Sequence, residues 1–487
     1  MTAFRPDFAR LSETAQRILA ERHLPGLALG AVVAGEPAWQ EAWGWADIAA
    51  QQPMTPQHRQ RIASITKTMV GLCVMALVDE GRLSLDSRVQ DILPDFTFHG
   101  PAEGLTVRHL LTHTGGIGET PNANDLAQPF AKLYGKHEPG TSLTDLYTDG
   151  LTIEVPPGTK WAYANHGFLL LGEIISRLEG VALPEAMHRR IYEPLGMNDS
   201  DTLDVPRPDI SHGYHQAATP EARQLLDYFS VELESDVPVD GHNLAGKYPP
   251  AWGNAAAGGA QSTVPDMLRY AAALLRASDG IVRPETFAQM ITPQWQPDPR
   301  LRGWGLSFES HRPFGQRMFG HGGAAMGGWN SFLAVFPDLD AALVIHTNLM
   351  TDGFETTTQR PLIQAFLGAD NPKPGANLDT QVLATAPGVY EAPDPGPLTN
   401  FRVKFGSGRV LIRQADGLLT LYSRRGPWKE GVPLLPGDTG EPDLLLINHG
   451  AIPQRLVVLR DGSGDVTGLR FTQLVDMHRN PELQPWT

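Results

Sequence analysis

At 487 residues, with 41% hydrophobic and 19% charged side chains, the chain has the balance of a folded globular protein and not of a disordered or fibrous one. That length is too great for one compact core and fits roughly two to four domains. Lys and Arg number 39 against 54 Asp and Glu, a formal net charge of −15 with no basic run, which on average repels nucleic acid and anionic membrane and turns the expectation to small-molecule partners.

From the N-terminus, the first 22 residues carry Asp7, Glu13 and Glu21 among their basic residues and have no apolar signal-like core. No apolar run approaches the length that spans a bilayer. Helical apolar spacing predicts a helix over 8–21, then strands over 27–33 and 39–45 with a turn at Gly35-Glu36-Pro37. A long helix starts near Ser64, carries Met69, Val70, Cys73, Leu77 and Val78 on its apolar positions, and stops near Gly81. Cys73 is the single cysteine, so no intramolecular disulfide is possible, and a buried thiol in a reducing, cytoplasmic setting is expected.

Pro and Gly punctuate 84–210, which reads as a mostly helical insertion containing a helix over 168–178 that Gly180 closes. Near-continuous apolar runs at 304–308, 329–336 and 341–347 predict strands of a sheet covered on both faces, the last two joined by Pro337-Asp338-Leu339-Asp340. A linker at 371–380, rich in Pro, Gly and Asn, separates a larger unit, 1–370, from a different tail, 381–487. Short strands at 401–405, 410–412, 418–422, 444–447, 455–459 and 467–471 make that tail a small antiparallel β-barrel or sandwich.

Three short constellations carry chemistry. Ser64-Ile65-Thr66-Lys67 opens a helix, and residues at i and i+3 share a face, so the Lys67 amine reaches the Ser64 hydroxyl. A serine is a weak nucleophile until a neighbouring base takes its proton, which a buried lysine can do. Alone, the pattern is met more often as an N-capping serine followed by an exposed lysine. Tyr163-Ala164-Asn165 places a phenol and an amide at i and i+2, pointing the same way where the chain is extended. Gly320-His321-Gly322-Gly323-Ala324 lets the backbone approach a ligand and offer main-chain N–H groups to an oxyanion; its plainer reading is a glycine-rich turn.

In this order and spacing the three resemble the S-x-x-K, Y-x-N and [KHW]-x-G motifs of the penicillin-recognising serine hydrolases: class C β-lactamases, D-Ala-D-Ala carboxypeptidases, D-aminopeptidases and family VIII carboxylesterases. Leu105 through Gly116, Tyr192 through Met197, and Ala257-Gly258-Gly259 leading to Ser262-Thr263 fit the same pattern. The resemblance implies an α/β fold, an antiparallel sheet flanked by helices beside a mostly helical subdomain, with the active site in the cleft between them. It implies Ser64 as nucleophile, Lys67 and Tyr163 sharing the base and acid roles, and an oxyanion hole from the backbone N–H groups of Ser64 and Ala324. Asn165, His321, Gly322 and Gly323 would contact substrate.

His321 stands where β-lactamases of this family usually carry lysine. A neutral histidine reads a substrate carboxylate less well, which ranks esterase or amidase activity, including that on D-amino acids, above β-lactamase or carboxypeptidase activity. The partner expected is a small ester, amide or short peptide; self-association is left open, and a non-catalytic penicillin-binding sensor is the competing class. The tail resembles the lipocalin-like domains appended to some relatives. No cofactor or metal is expected: 16 histidines include no H-E-x-x-H, and His212-Gly213-Tyr214-His215 lacks a third ligand. His109 and His113, at i and i+4, read as core or turn histidines, and the glycines of 320–328 lack the setting of a dinucleotide fold.

Overall fold

The computed structural model describes residues 4–118, 143–203, 205–216, 226, 231–248, 255–351, 353–371, 373–375, 377–392, 409–424, 428–449, 454–471 and 476–486. The first helix, α1 (Phe8–Glu21), starts where the Asp7 carboxylate accepts the Arg10 N–H at 3.0 Å, and its buried stripe is Leu11, Ala15 and Ile18. Strands β1 (Gly26–Val33) and β2 (Glu36–Asp47) follow. The turn between them is tighter than expected, because Ala34 and Gly35 both take positive φ and Glu36 and Pro37 already pair with Val33 and Val32.

An eight-stranded antiparallel sheet is completed by β3 (Gln52–Pro53), β4 (Gly303–Trp304), β5 (Glu309–His311), β6 (Met318–Ala325), β7 (Trp329–Phe336) and β8 (Ala341–Thr347). Its spatial order is β4-β5-β6-β7-β8-β1-β2-β3. The apolar runs at 329–336 and 341–347 are strands as expected, and alternate residues explain why neither run alternates in polarity. Leu333, Val335, Ala342 and Val344 face one core with α2 (Thr66–Asp79), whereas Phe332, Phe336, Leu343 and Ile345 face another with α1.

The run at 304–308 is not a continuous strand. Gly305 N–H donates to the Phe308 carbonyl at 2.8 Å, and Ser307 turns at φ 70 while its N–H donates to the Leu111 carbonyl at 3.0 Å. A Cβ on Gly305 would lie 2.1 Å from the Met290 carbonyl, so a buried hairpin, with Leu306 and Phe308 packed inside, replaces the strand.

Helix α2 is apolar nearly all round and buried from Thr66 to Leu77, which makes it the axis of the larger core. Across it lies α3 (Asn165–Glu179), closed by Gly180 in the left-handed region as the sequence predicts. Short helices Val107–Leu111, Leu143–Leu146 and Leu183–Met187 complete the helical side.

The tail is a closed barrel of eight antiparallel strands, from Gly388–Glu391 to Asp476–Arg479, sealed where Tyr390 pairs with Arg479. The expected strand at 401–405 lies outside the described residues. Three strands were not among those expected: Gly388–Glu391, Val432–Pro436, which contains two prolines, and Asp476–Arg479, which sends only Met477 into the core. The helix Thr380–Thr385 contributes Val382 to that core. The barrel braces the segment that leads into β4: Arg470 donates to the Pro297 carbonyl, Arg455 to the Arg300 carbonyl, and Leu444 and Val457 pack on Leu301. Among the described residues no helix is long and apolar enough to cross a membrane.

His346, in β8, is fully buried, neither ring nitrogen has a partner, and burial pushes its pKa down to about 4; His215 is likewise lowered to about 4. An unfolded imidazole keeps about 6.5, so between these values the unfolded chain binds protons that the fold refuses. Stability is therefore full above pH 6.5 and falls as the pH drops toward 4, by on the order of 3 kcal/mol per imidazole. Urea midpoints measured from pH 7.5 to 4.5 should show this slope, and His346→Leu should make it shallower, leaving the His215 share; a flat wild-type profile would contradict the assignment.

Candidate active site

The segment ahead of α2 is held under tension. Ala63 is a buried non-glycine residue at φ 45, and Ala63–Ile65 form a single 3₁₀ turn that runs directly into the helix. Thr66 Oγ1 donates to the Ala63 carbonyl at 2.6 Å and accepts the Ala260 N–H at 3.1 Å, which fixes the turn. Ser64 thereby sits half-buried at the helix entrance.

One helical turn on, the Lys67 side chain is 0% exposed. Its ammonium donates to Ser64 Oγ at 3.0 Å, to Asn165 Oδ1 at 2.7 Å and to the Ala257 carbonyl. An ammonium has three protons, and these acceptors match them. The Tyr163 ring centroid lies 5.1 Å from Nζ and that of Phe168 5.5 Å, so the charge also rests against two aromatic faces.

Tyr163 and Asn165 reach this point together, as their spacing predicts. Ala164 is extended, at φ −138 and ψ 115, and Asn165 is the first residue of α3. The third motif is a strand, not a turn. β5 pairs with β6 only as far as Gly320, so from His321 onward the outer edge of β6 faces the Ile62–Ser64 segment. A Cβ on Gly323 would stand 2.2 Å from the Ile62 carbonyl, whereas one on Gly322 would meet nothing closer than 3.5 Å. Gly323 therefore sets how near the strand comes to Ser64. Ala325 packs on Ala63 and Trp329, and Ala324, one residue earlier, is exposed on the opposite face.

His321 is 4% exposed, and its Nδ1 lies 2.6 Å from the Gly322 carbonyl. Burial and the nearby Lys67 charge bring its pKa down to about 3, so the imidazole is neutral at physiological pH. The bond to a carbonyl places the proton on Nδ1 and leaves Nε2 as an acceptor. All the residues named from the three motifs thus lie around one buried ammonium or along the strand beside it.

Three contributors were not singled out for the site. Trp304 is buried with its ring centroid 5.4 Å from that of His321 and 5.9 Å from that of Tyr163, and a tryptophan in an apolar run carries no signal beyond core. The Ala257 carbonyl is a backbone group. His113, read as a core or turn histidine, is buried but packs on Tyr163 at 4.2 Å between centroids; His109 is a helix cap, its Nδ1 accepting the Thr106 N–H at 3.2 Å. Among the described residues no group of three His, Cys, Asp or Glu side chains is placed to hold a metal.

A buried amine bonded to a half-buried hydroxyl, with a phenol, an amide and a neutral imidazole around it, suits proton transfer at an oxygen nucleophile. The Beta-lactamase family model matches residues 11–367. Esterase EstB of Burkholderia gladioli is 30% identical over 323 residues, covering 62% of this chain and 79% of that protein. The D-amino acid amidase of Ochrobactrum anthropi SV3, solved with L-phenylalanine amide, is 25% identical with a TM-score of 0.58, over 73% of this chain and 98% of that one. The octameric penicillin-binding protein homologue from Pyrococcus abyssi shares the fold at 22% identity and a TM-score of 0.60, over 97% of this chain and 100% of that one.

The two glycines of the third motif give a contrast that activity measurements resolve. Gly323→Ala should lower kcat by about 100-fold, because the strand must retreat from Ser64, while Gly322→Ala should stay within about 3-fold of wild type. Equal losses in the two variants would remove the close approach as the reason for the glycine.

Proposed function

The chain belongs to the beta-lactamase family and is a serine hydrolase, and we propose that it cleaves carboxylic esters and amides through an acyl-enzyme on Ser64. The observation that carries this reading is the bond from buried Lys67 Nζ to Ser64 Oγ at 3.0 Å, with Tyr163 beside the same ammonium.

In acylation, the Ser64 proton passes to the Lys67–Tyr163 pair, which together carries one proton fewer than ammonium plus phenol, while Oγ bonds the substrate carbonyl carbon. The carbonyl oxygen becomes an oxyanion held by the backbone N–H groups of Ser64 and Ala324. Collapse of that intermediate breaks the bond to the alcohol or amine, which leaves with the transferred proton. Water then repeats the sequence on the acyl-enzyme, releasing the acid and restoring Ser64. Asn165 and Gly322–Gly323 line the path, the amide already turned toward Lys67.

His321 shapes the substrate. As a neutral acceptor it supplies no fixed positive charge for a carboxylate, which favours neutral esters and amides over β-lactams and C-terminal peptides. Amides of D-amino acids form the second substrate class, favoured by the likeness to the D-amino acid amidase across 98% of that enzyme.

A panel of p-nitrophenyl esters, D- and L-amino-acid p-nitroanilides and a chromogenic cephalosporin tests both halves of the proposal. Ester or anilide turnover should exceed cephalosporin turnover, and Ser64→Ala should reduce kcat/KM at least about 1000-fold. Turnover that survives Ser64→Ala would overturn the nucleophile. Preferred cephalosporin hydrolysis would overturn the substrate class, and a long-lived adduct without turnover would make the protein a sensor.

A further inference from the structure

Tyr163 is flanked on both sides by bonds to a single residue outside its own segment. The His113 carbonyl accepts the Ala162 N–H at 2.8 Å, and His113 Nδ1 accepts the Ala164 N–H at 3.1 Å. The imidazole lies 4.2 Å from the Tyr163 ring at 31° and is boxed by Trp304 at 4.9 Å and Phe168 at 5.2 Å. His113 is 2% exposed and sits at φ 56, a conformation that costs a histidine about 1 kcal/mol. A strained, buried polar residue kept at this point is unexplained by packing alone, because glycine or asparagine would relieve the backbone.

Resting on the acyl-enzyme reading, we propose that His113 is a positioning residue that clamps the Ala162–Ala164 backbone and thereby aims the Tyr163 hydroxyl and the Asn165 amide at the Lys67–Ser64 pair. Nδ1 accepts a hydrogen bond, so the proton is on Nε2 and the ring is neutral. Burial, and after it the Lys67 charge, hold His113 well below the usual histidine range, in keeping with an acceptor that never becomes a donor. Tyr163 and Asn165 lie one residue either side of the clamped Ala164 N–H, so releasing it lets both drift, and a displacement near 1 Å costs on the order of 100-fold in rate.

Three substitutions separate clamping from mere filling. His113→Asn keeps an acceptor near the Nδ1 position and tolerates positive φ; His113→Gly tolerates φ without an acceptor; His113→Leu fills space without one. Each variant is titrated with a fluorophosphonate to count competent sites, and kcat and KM for a p-nitrophenyl ester are then taken per titrated site. The clamp predicts His113→Asn within about 10-fold of wild type, and kcat for His113→Gly and His113→Leu about 100-fold lower with KM within about 3-fold.

Per-site kcat in His113→Gly equal to wild type, or His113→Asn as impaired as His113→Gly, overturns the inference. A wild-type protein that takes no label at Ser64 fails the underlying reading, and this one with it. A labelled wild type beside an unimpaired His113→Gly fails this one alone.

Discussion

A single buried cation organises this protein's working face. Lys67 lies out of water, and an ammonium in that setting costs many kcal/mol unless each proton finds an acceptor. The acceptors come from three separated stretches: Ser64 at the start of α2, Asn165 at the start of α3 and the Ala257 carbonyl. Satisfying the charge therefore fixes two helices and a turn against one another. Burial, and after it this charge, lowers the pKa of both His113 and His321, so the cation sits among neutral acceptors and aromatic faces.

Backbone geometry sets the remaining distances. Ala63 is held in the left-handed region beside Ser64, and Gly323 brings β6 to within contact of Ile62, where Ser331 Oγ also donates to the Ile62 carbonyl at 2.9 Å. The Ser64 turn and the strand are thus tied through one carbonyl. The barrel acts on the same neighbourhood from outside, because its arginines grip Pro297 and Arg300, a few residues before Trp304 packs on His321 and Tyr163.

What the sequence disclosed follows the strength of the local physical signal. Helix α1, with its apolar stripe, and strands β7 and β8, each a long apolar run ended by a turn, were legible to the residue or nearly so. The run at 304–308 was not, because a buried hairpin and a covered strand are equally apolar, and only the crowding at Gly305 by the Met290 carbonyl separates them. Val432–Pro436 and Asp476–Arg479 hid because a closed barrel stabilises short strands of poor intrinsic propensity through their neighbours. Ser64, Lys67, Tyr163, Asn165 and His321 stood out as candidates because their chemistry is tied to side-chain identity, and the fold brings them together. Ala257 and His113 lie in stretches that fit the same family pattern, but the roles seen here come from a backbone carbonyl and from a contact 50 residues apart in the chain, which side-chain identity does not disclose.

The account stands on Lys67 activating Ser64, and peptide-level mass spectrometry of a timed fluorophosphonate reaction measures that step before any substrate preference enters. Wild type should carry the phosphonyl group on the peptide containing Ser64, and Lys67→Met should slow its appearance at least about 1000-fold while the fold persists by circular dichroism. Label on another residue, or an unchanged rate in folded Lys67→Met, would contradict the account.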